Sequence, residues 1–215
     1  MKIVEFRGVD GLVAAEVTGD DNETSGGYVV GEVFPLAGVA EISKTTETSS
    51  EAKYYDNVPA IVFNSEGADE ITITASVLAL ATLAKITGKH IDAETGAMID
   101  GERDPKYYAL GYRFKMTDGT YRYVWRLKGS FSIPDETSAT EDDGTDTNNM
   151  ELVYTGISTT HKFTKTGKPA KAVVVDDTPD SKCDVSTFFE TVTDPDKLKA
   201  KESRAGKAVV GKSKV

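Results

Sequence analysis

Residues able to do covalent or metal chemistry are few in this chain, and none falls in a spacing that a reaction requires. The only histidines are His90 and His161, and the only cysteine is Cys183. A nucleophilic triad needs one histidine beside Cys183 or a serine, with a third group to orient it, and no local motif supplies that set. A single cysteine rules out an intramolecular disulfide and the clustered thiolates of a structural zinc site. Gly26-Gly27 and Gly31 precede no Gly-Lys-Ser/Thr, so the phosphate-cradling loop is missing. Asp92, Glu94, Asp100, Glu102 and Asp104 crowd around Gly96 and Gly101 in the manner of a calcium loop. Counted from Asp92, however, position 5 is Gly96 and position 12 is Arg103, where an EF-hand needs oxygen ligands. The expectation is a non-enzyme with no catalytic residue, no cofactor and no bound metal.

Charge is the more informative signal. The 215 residues carry 25 Lys and Arg against 35 Asp and Glu, a net charge of −10. Lys197, Lys199, Lys201, Arg204, Lys207, Lys212 and Lys214 face only Asp196 and Glu202, so the last 20 residues hold +5 and residues 1–195 hold −15. A body this acidic repels a phosphate backbone and lacks the counterion-release term behind sequence-independent DNA binding. Met1–Asp10 has no apolar core of a signal peptide. The longest apolar segment, Val77–Ile86, is too short to span a bilayer. The division expected is a partly flexible N-terminal segment at 1–27, a β domain at 28–195 and a basic flexible tail at 196–215.

Periodicity places strands around one helix. Tyr28–Phe34 is β-branched and aromatic, Val39–Ile42 alternates, and Ser43–Lys53 is a polar edge strand or loop. Glu70–Ala75 alternates cleanly with Ile71, Ile73 and Ala75 on one face. Ser76 stands as an N-cap, and a helix over about Val77–Thr87 ends at Gly88. Met150–Thr155 and Ala172–Val175 read as further strands, and Asp184 as the cap of a short C-terminal helix running to Val192.

The strongest local pattern is a hairpin. Tyr108, Leu110, Tyr112, Phe114 and Met116 alternate, Asp118-Gly119 offers a two-residue turn, and Tyr121, Tyr123, Trp125 and Leu127 alternate back. The register expected pairs Phe114 with Tyr123, Tyr112 with Trp125 and Leu110 with Leu127. It gathers Arg113, Lys115, Arg122, Arg126 and Lys128 on the opposite face. Five cations there require carboxylates, because like charges directly opposed are destabilising. They are read either as a solvated face or as a contact with acidic groups of a neighbouring subunit. Thr45, Thr46, Glu47 and Thr48, in the polar Ser43–Lys53 segment that lacks core periodicity, are the other interface candidates. Asp135, Glu136, Glu141, Asp142, Asp143 and Asp146 form an acidic loop without a cation.

The order of segments resembles the major tail proteins of siphophages infecting Gram-positive bacteria. Tyr54-Tyr55-Asp56-Asn57-Val58-Pro59 looks like the family's YADN element, which precedes an alternating strand and a helix ending in Gly. Pro105–Tyr112 matches a PYYALGY-like strand, and Tyr123–Arg126 with Lys128-Gly129 matches the strand that follows. The closing aromatic pair lies in Val173–Phe189, so the similarity covers roughly residues 28–192. The resemblance implies a mainly β, tail-tube-type β-sandwich with one flanking helix, forming stacked hexameric rings in a virion tail. The implied partners are other copies of the chain and the tape measure, tail terminator and distal tail proteins. Genomic DNA would pass through the tube without specific binding, and no membrane is involved. The alternatives are a capsid decoration protein or a calcium- or carbohydrate-binding β-sandwich.

Overall fold

The computed structural model describes residues 3–21, 27–135 and 149–201. Among these residues the fold is mainly β, with one α-helix, one short 3-10 helix at Pro195–Lys197 and one large antiparallel sheet. The strands that matter most are β1 (Phe6–Asp20), β2 (Tyr28–Val30), β3 (Phe34–Pro35), β4 (Val39–Tyr55) and β5 (Val58–Ala75). They are followed by α1 (Leu80–Thr87), a small β6–β7 pair (His90–Ile91, Met98–Ile99), β8 (Tyr108–Met116) and β9 (Tyr121–Phe131). β10 (Met150–Ile157) and β11 (Ala172–Asp177) complete the set. The main sheet runs β2-β1-β8-β9-β10-β5-β4, with β3 on β1 and β11 on β9.

The sheet is apolar on both faces, so each face builds a separate core. One face gathers Leu12, Ile71, Ile73, Leu110, Tyr112, Val124, Leu152 and Tyr154. Around it the sheet curls until β4 comes back against β1, helped by the Leu36 amide donating to the Leu12 carbonyl at 3.1 Å. α1 covers one end, where the Tyr108 hydroxyl donates to the Lys85 carbonyl at 2.6 Å. The other face gathers Tyr28, Trp125, Leu127, Phe163, Val173, Phe188 and Val192 beneath the irregular chain that follows β10 and β11. The Trp125 indole donates to the Phe188 carbonyl at 2.7 Å, which satisfies the one polar atom that a buried tryptophan carries.

Several sequence expectations are corrected by this arrangement. β1, which falls within the N-terminal segment at 1–27, lies inside the sheet between β2 and β8. The helix begins at Leu80 rather than Val77, and its N-cap position is Ala79 with no side-chain cap. Ser76 is spent elsewhere, its hydroxyl accepting from the Gly38 amide at 3.1 Å while its own amide donates to the Gly38 carbonyl. Val77 and Leu80 are consequently exposed, and Ala84, Ile86 and Thr87 turn inward. No helix forms over 184–192; a run of turns does, with the Asp184 carboxylate accepting from the Ser186 amide at 3.0 Å. The chain at 196–201 belongs to the body. The Asp196 carboxylate accepts from the Thr164 and Lys165 amides at 2.9 and 2.7 Å, and Cys183 bridges Ala200.

The central hairpin is real but slipped by one residue. Met116 and Thr120 close a three-residue loop in which only Gly119 (φ 86°) has positive φ, and Asp118 does not. Tyr112 therefore pairs with Val124, Gly111 with Trp125 and Phe114 with Arg122. A one-residue slip sends a whole strand's side chains to the opposite face. So Tyr108, Leu110 and Tyr112 serve one core while Trp125 and Leu127 serve the other.

Candidate assembly surface

The slip redistributes the five cations. Arg122 and Arg126 share a face with Tyr112 and Phe114, whereas Arg113 and Lys115 share the face of Tyr123 and Trp125. Four of the five pair with aspartates of the same chain. Arg113 pairs with Asp10 of β1, its guanidinium 4.6 Å from the Tyr121 ring centroid. Arg122 grips Asp176 of β11 with two hydrogen bonds of 2.5 and 2.9 Å, and that cation holds the Asp176 carboxyl below its usual range. Arg126 meets Asp69 of β5 at 3.0 Å, and Lys128 meets Asp20 of β1 at 2.6 Å. Lys115 remains exposed.

Asp20 is a node in its own right. Beyond Lys128, its carboxylate accepts from the Thr160 and His161 amides at 2.8 Å. Burial alone would raise its pKa, but the Lys128 ammonium and the two amides outweigh burial and hold it below the ordinary carboxylate value. His161 in turn sets Nδ1 2.9 Å from the Asp21 carbonyl and packs edge-on to Phe163. Cys183 points its thiol to the Asp184 carbonyl, and His90 is exposed on β6. The Asp92 carboxylate is occupied by the amide of Thr95 at 3.0 Å and by its hydroxyl. Among the described residues, no three His, Cys, Asp or Glu side chains cluster as a metal site would need.

The surface that stands out is the β4–β5 hairpin. Its strands, 17 and 18 residues long, are joined by Asp56 (φ 50°) and Asn57 (φ 64°). Positive φ at both central residues is the tight turn whose twist matches the flanking strands, and Asp and Asn tolerate it better than other non-glycine residues. The last rung joining β5 to β10 is Asp69–Gly156. Past it, Val58–Gly67 is exposed at every position, so about 30 Å of two-stranded ribbon stands clear of the body. Tyr54, Tyr55, Val58, Ile61, Val62 and Phe63 are each 46–65% exposed. Together they show roughly 600 Å² of surface, divided between the two faces of the ribbon, with Tyr55, Val58, Ile61 and Phe63 on one and Tyr54 and Val62 on the other. An isolated two-stranded hairpin is at best marginally stable in water.

Of the sequence candidates, Thr45, Thr46, Glu47 and Thr48 all fall at the root of this arm. Thr46 is turned inward, donating to Asp69 at 2.9 Å, while Glu47 sits where the register shifts between Thr46 and Thr48. Asp135 is exposed; Glu136, Glu141, Asp142, Asp143 and Asp146 lie outside the described residues. The apolar tip itself went unread as a surface, although Asp-Asn between Tyr-Tyr and Val is a legible hairpin signal. No helix among the described residues is long and apolar enough to cross a membrane. No protein-family model matches the chain, and no curated protein matches it.

Proposed function

We propose that the chain is a self-assembling structural subunit, the tail-tube protein of a long-tailed phage, stacking as hexameric rings into a hollow conduit for DNA. The observation that carries this reading is the free β4–β5 arm, whose apolar tip has no place on its own body. An assembly subunit needs a surface of about 800 Å² per partner, and the tip with its flanking ribbon supplies that order of area. A contact between an arm and a different surface of the next copy is heterologous, the kind that closes into rings or extends into filaments.

The electrostatics fit the same role. DNA moves freely along a wall that offers few unpaired cations, since each phosphate–cation contact adds affinity and drag. Arg113, Arg122, Arg126 and Lys128 are all committed to aspartates within the chain. The segment resemblance across roughly residues 28–192 gives the assembly its name. Negative-stain electron microscopy of the purified protein across a concentration series tests the proposal. Rings or tubes about one subunit layer thick are the expected result, and a monomer at every concentration, with and without other tail components, defeats it.

A further inference from the structure

The geometry points to Asp69 as the pin that fixes the direction of the β4–β5 arm, and thereby as the residue that decides whether the arm can engage a second copy. The second half of this inference rests on the assembly reading above; the first does not.

Asp69 is 4% exposed and occupies the last rung before the arm leaves the sheet, paired to Thr46 on one side and Gly156 on the other. Groups from three other segments converge on its carboxylate. Thr46 of β4 donates to Oδ1 at 2.9 Å, and Lys44 of the same strand stands 3.6 Å away. Arg126 reaches across from β9 to Oδ2 at 3.0 Å, its side chain only 13% exposed and its guanidinium also directed at the Tyr112 hydroxyl. Lys171, from the segment entering β11, lies 3.8 Å from Oδ1 and also donates to the carbonyl of Gly67, the last residue of the exposed stretch Val58–Gly67.

One carboxylate thus holds three cations at the fulcrum. The imbalance is what makes the site a pin rather than one more ion pair. With the negative charge removed, Lys44, Arg126 and Lys171 repel one another in a half-buried notch where water screens them poorly. The notch relaxes by opening, and opening swings the arm, because beyond Asp69 no ladder bond ties β5 to β10. The register shift between Thr46 and Thr48 gives the opposite strand a flexible joint at the same height.

The test is a distance measurement on the monomer, with spin labels at native Cys183 in the body and at Glu51→Cys on the arm. The native sequence at the pin should give one narrow distance distribution. Asp69→Asn should broaden it, with amide exchange in the arm and its root accelerated at least about tenfold and exchange in β1, β8 and β9 unchanged. Lys171→Met, which strands no carboxylate and removes the tie to Gly67, should broaden it less. It also serves as the decisive variant if Asp69→Asn does not fold. A distribution as narrow as the native one in the folded variants overturns the inference. Electron microscopy separates the two claims. Native protein that assembles while Asp69→Asn does not is the expected result. An Asp69→Asn protein that assembles normally refutes the role of the pin in engagement, and native protein that never assembles refutes the assembly reading while the spin-label result still stands.

Discussion

Phe63→Ser separates assembly from folding, because Phe63 is 56% exposed and faces Glu51 across the ribbon rather than the core. In the monomer the change should be nearly silent, within about 0.5 kcal/mol, as for surface positions without special features. In an assembled contact the same side chain buries what it now exposes. Just over half of a phenylalanine's roughly 200 Å² is about 110 Å². At about 25 cal/mol per Å² this is worth about 3 kcal/mol. At about 1.4 kcal/mol per decade, the concentration at which particles appear rises about a hundredfold. Thermal unfolding of the dilute monomer and sedimentation velocity across a concentration series measure the two quantities. If Phe63→Ser melts with the native protein and assembles at the native concentration, the arm tip is not the contact. If it unfolds several degrees earlier, the ribbon is part of the body after all.

Other outcomes follow from the same structure. Gly129→Ala should destabilise the chain by about 1–3 kcal/mol or more in a urea titration. A Cβ there would lie 2.4 Å from both the Thr155 carbonyl oxygen and the Tyr154 ring, and a backbone atom cannot yield. Asn57→Gly should leave arm amide exchange unchanged, whereas Asn57→Ala should speed it, since a left-handed φ costs an alanine about 1–2 kcal/mol. Asp20 makes stability depend on pH. Its folded pKa is depressed, so its contribution is complete above the unfolded aspartate value of about 3.9 and disappears as pH falls through the folded one. The urea midpoint should therefore drop on acidification to about pH 3. Asp20→Asn should be weaker at about pH 7, by about 2–4 kcal/mol, and show a smaller acid-induced drop.

The sequence by itself determined the class of the molecule and much of its strand inventory. Period-two alternation at 70–75, 108–116, 121–127 and 150–155 is enforced by the pleat, so a mainly β fold could be read without any partner being known. The absence of a reactive spacing was equally local, because it concerns which residue types exist and how far apart they sit. Tertiary structure decided the rest. Alternation shows that Tyr112 and Trp125 are inward-facing residues, but the pattern is the same for a strand that serves one core and a strand that serves another. Only a sheet apolar on both faces makes the three-residue loop at Gly119 and its slipped register the better solution. The ion pairs followed from that slip. Arg113, Arg122, Arg126 and Lys128 found Asp10, Asp176, Asp69 and Asp20 at sequence separations of 103, 54, 57 and 108, distances no local pattern encodes. The arm shows the same division. Asp56-Asn57 could announce a turn, but that β5 leaves the sheet at Asp69, while β10 ends one pair later in its own course at Ile157, depends on which strands lie beside it. Turn chemistry is written in adjacent residues; exposure is a property of the neighbours that fold does or does not bring.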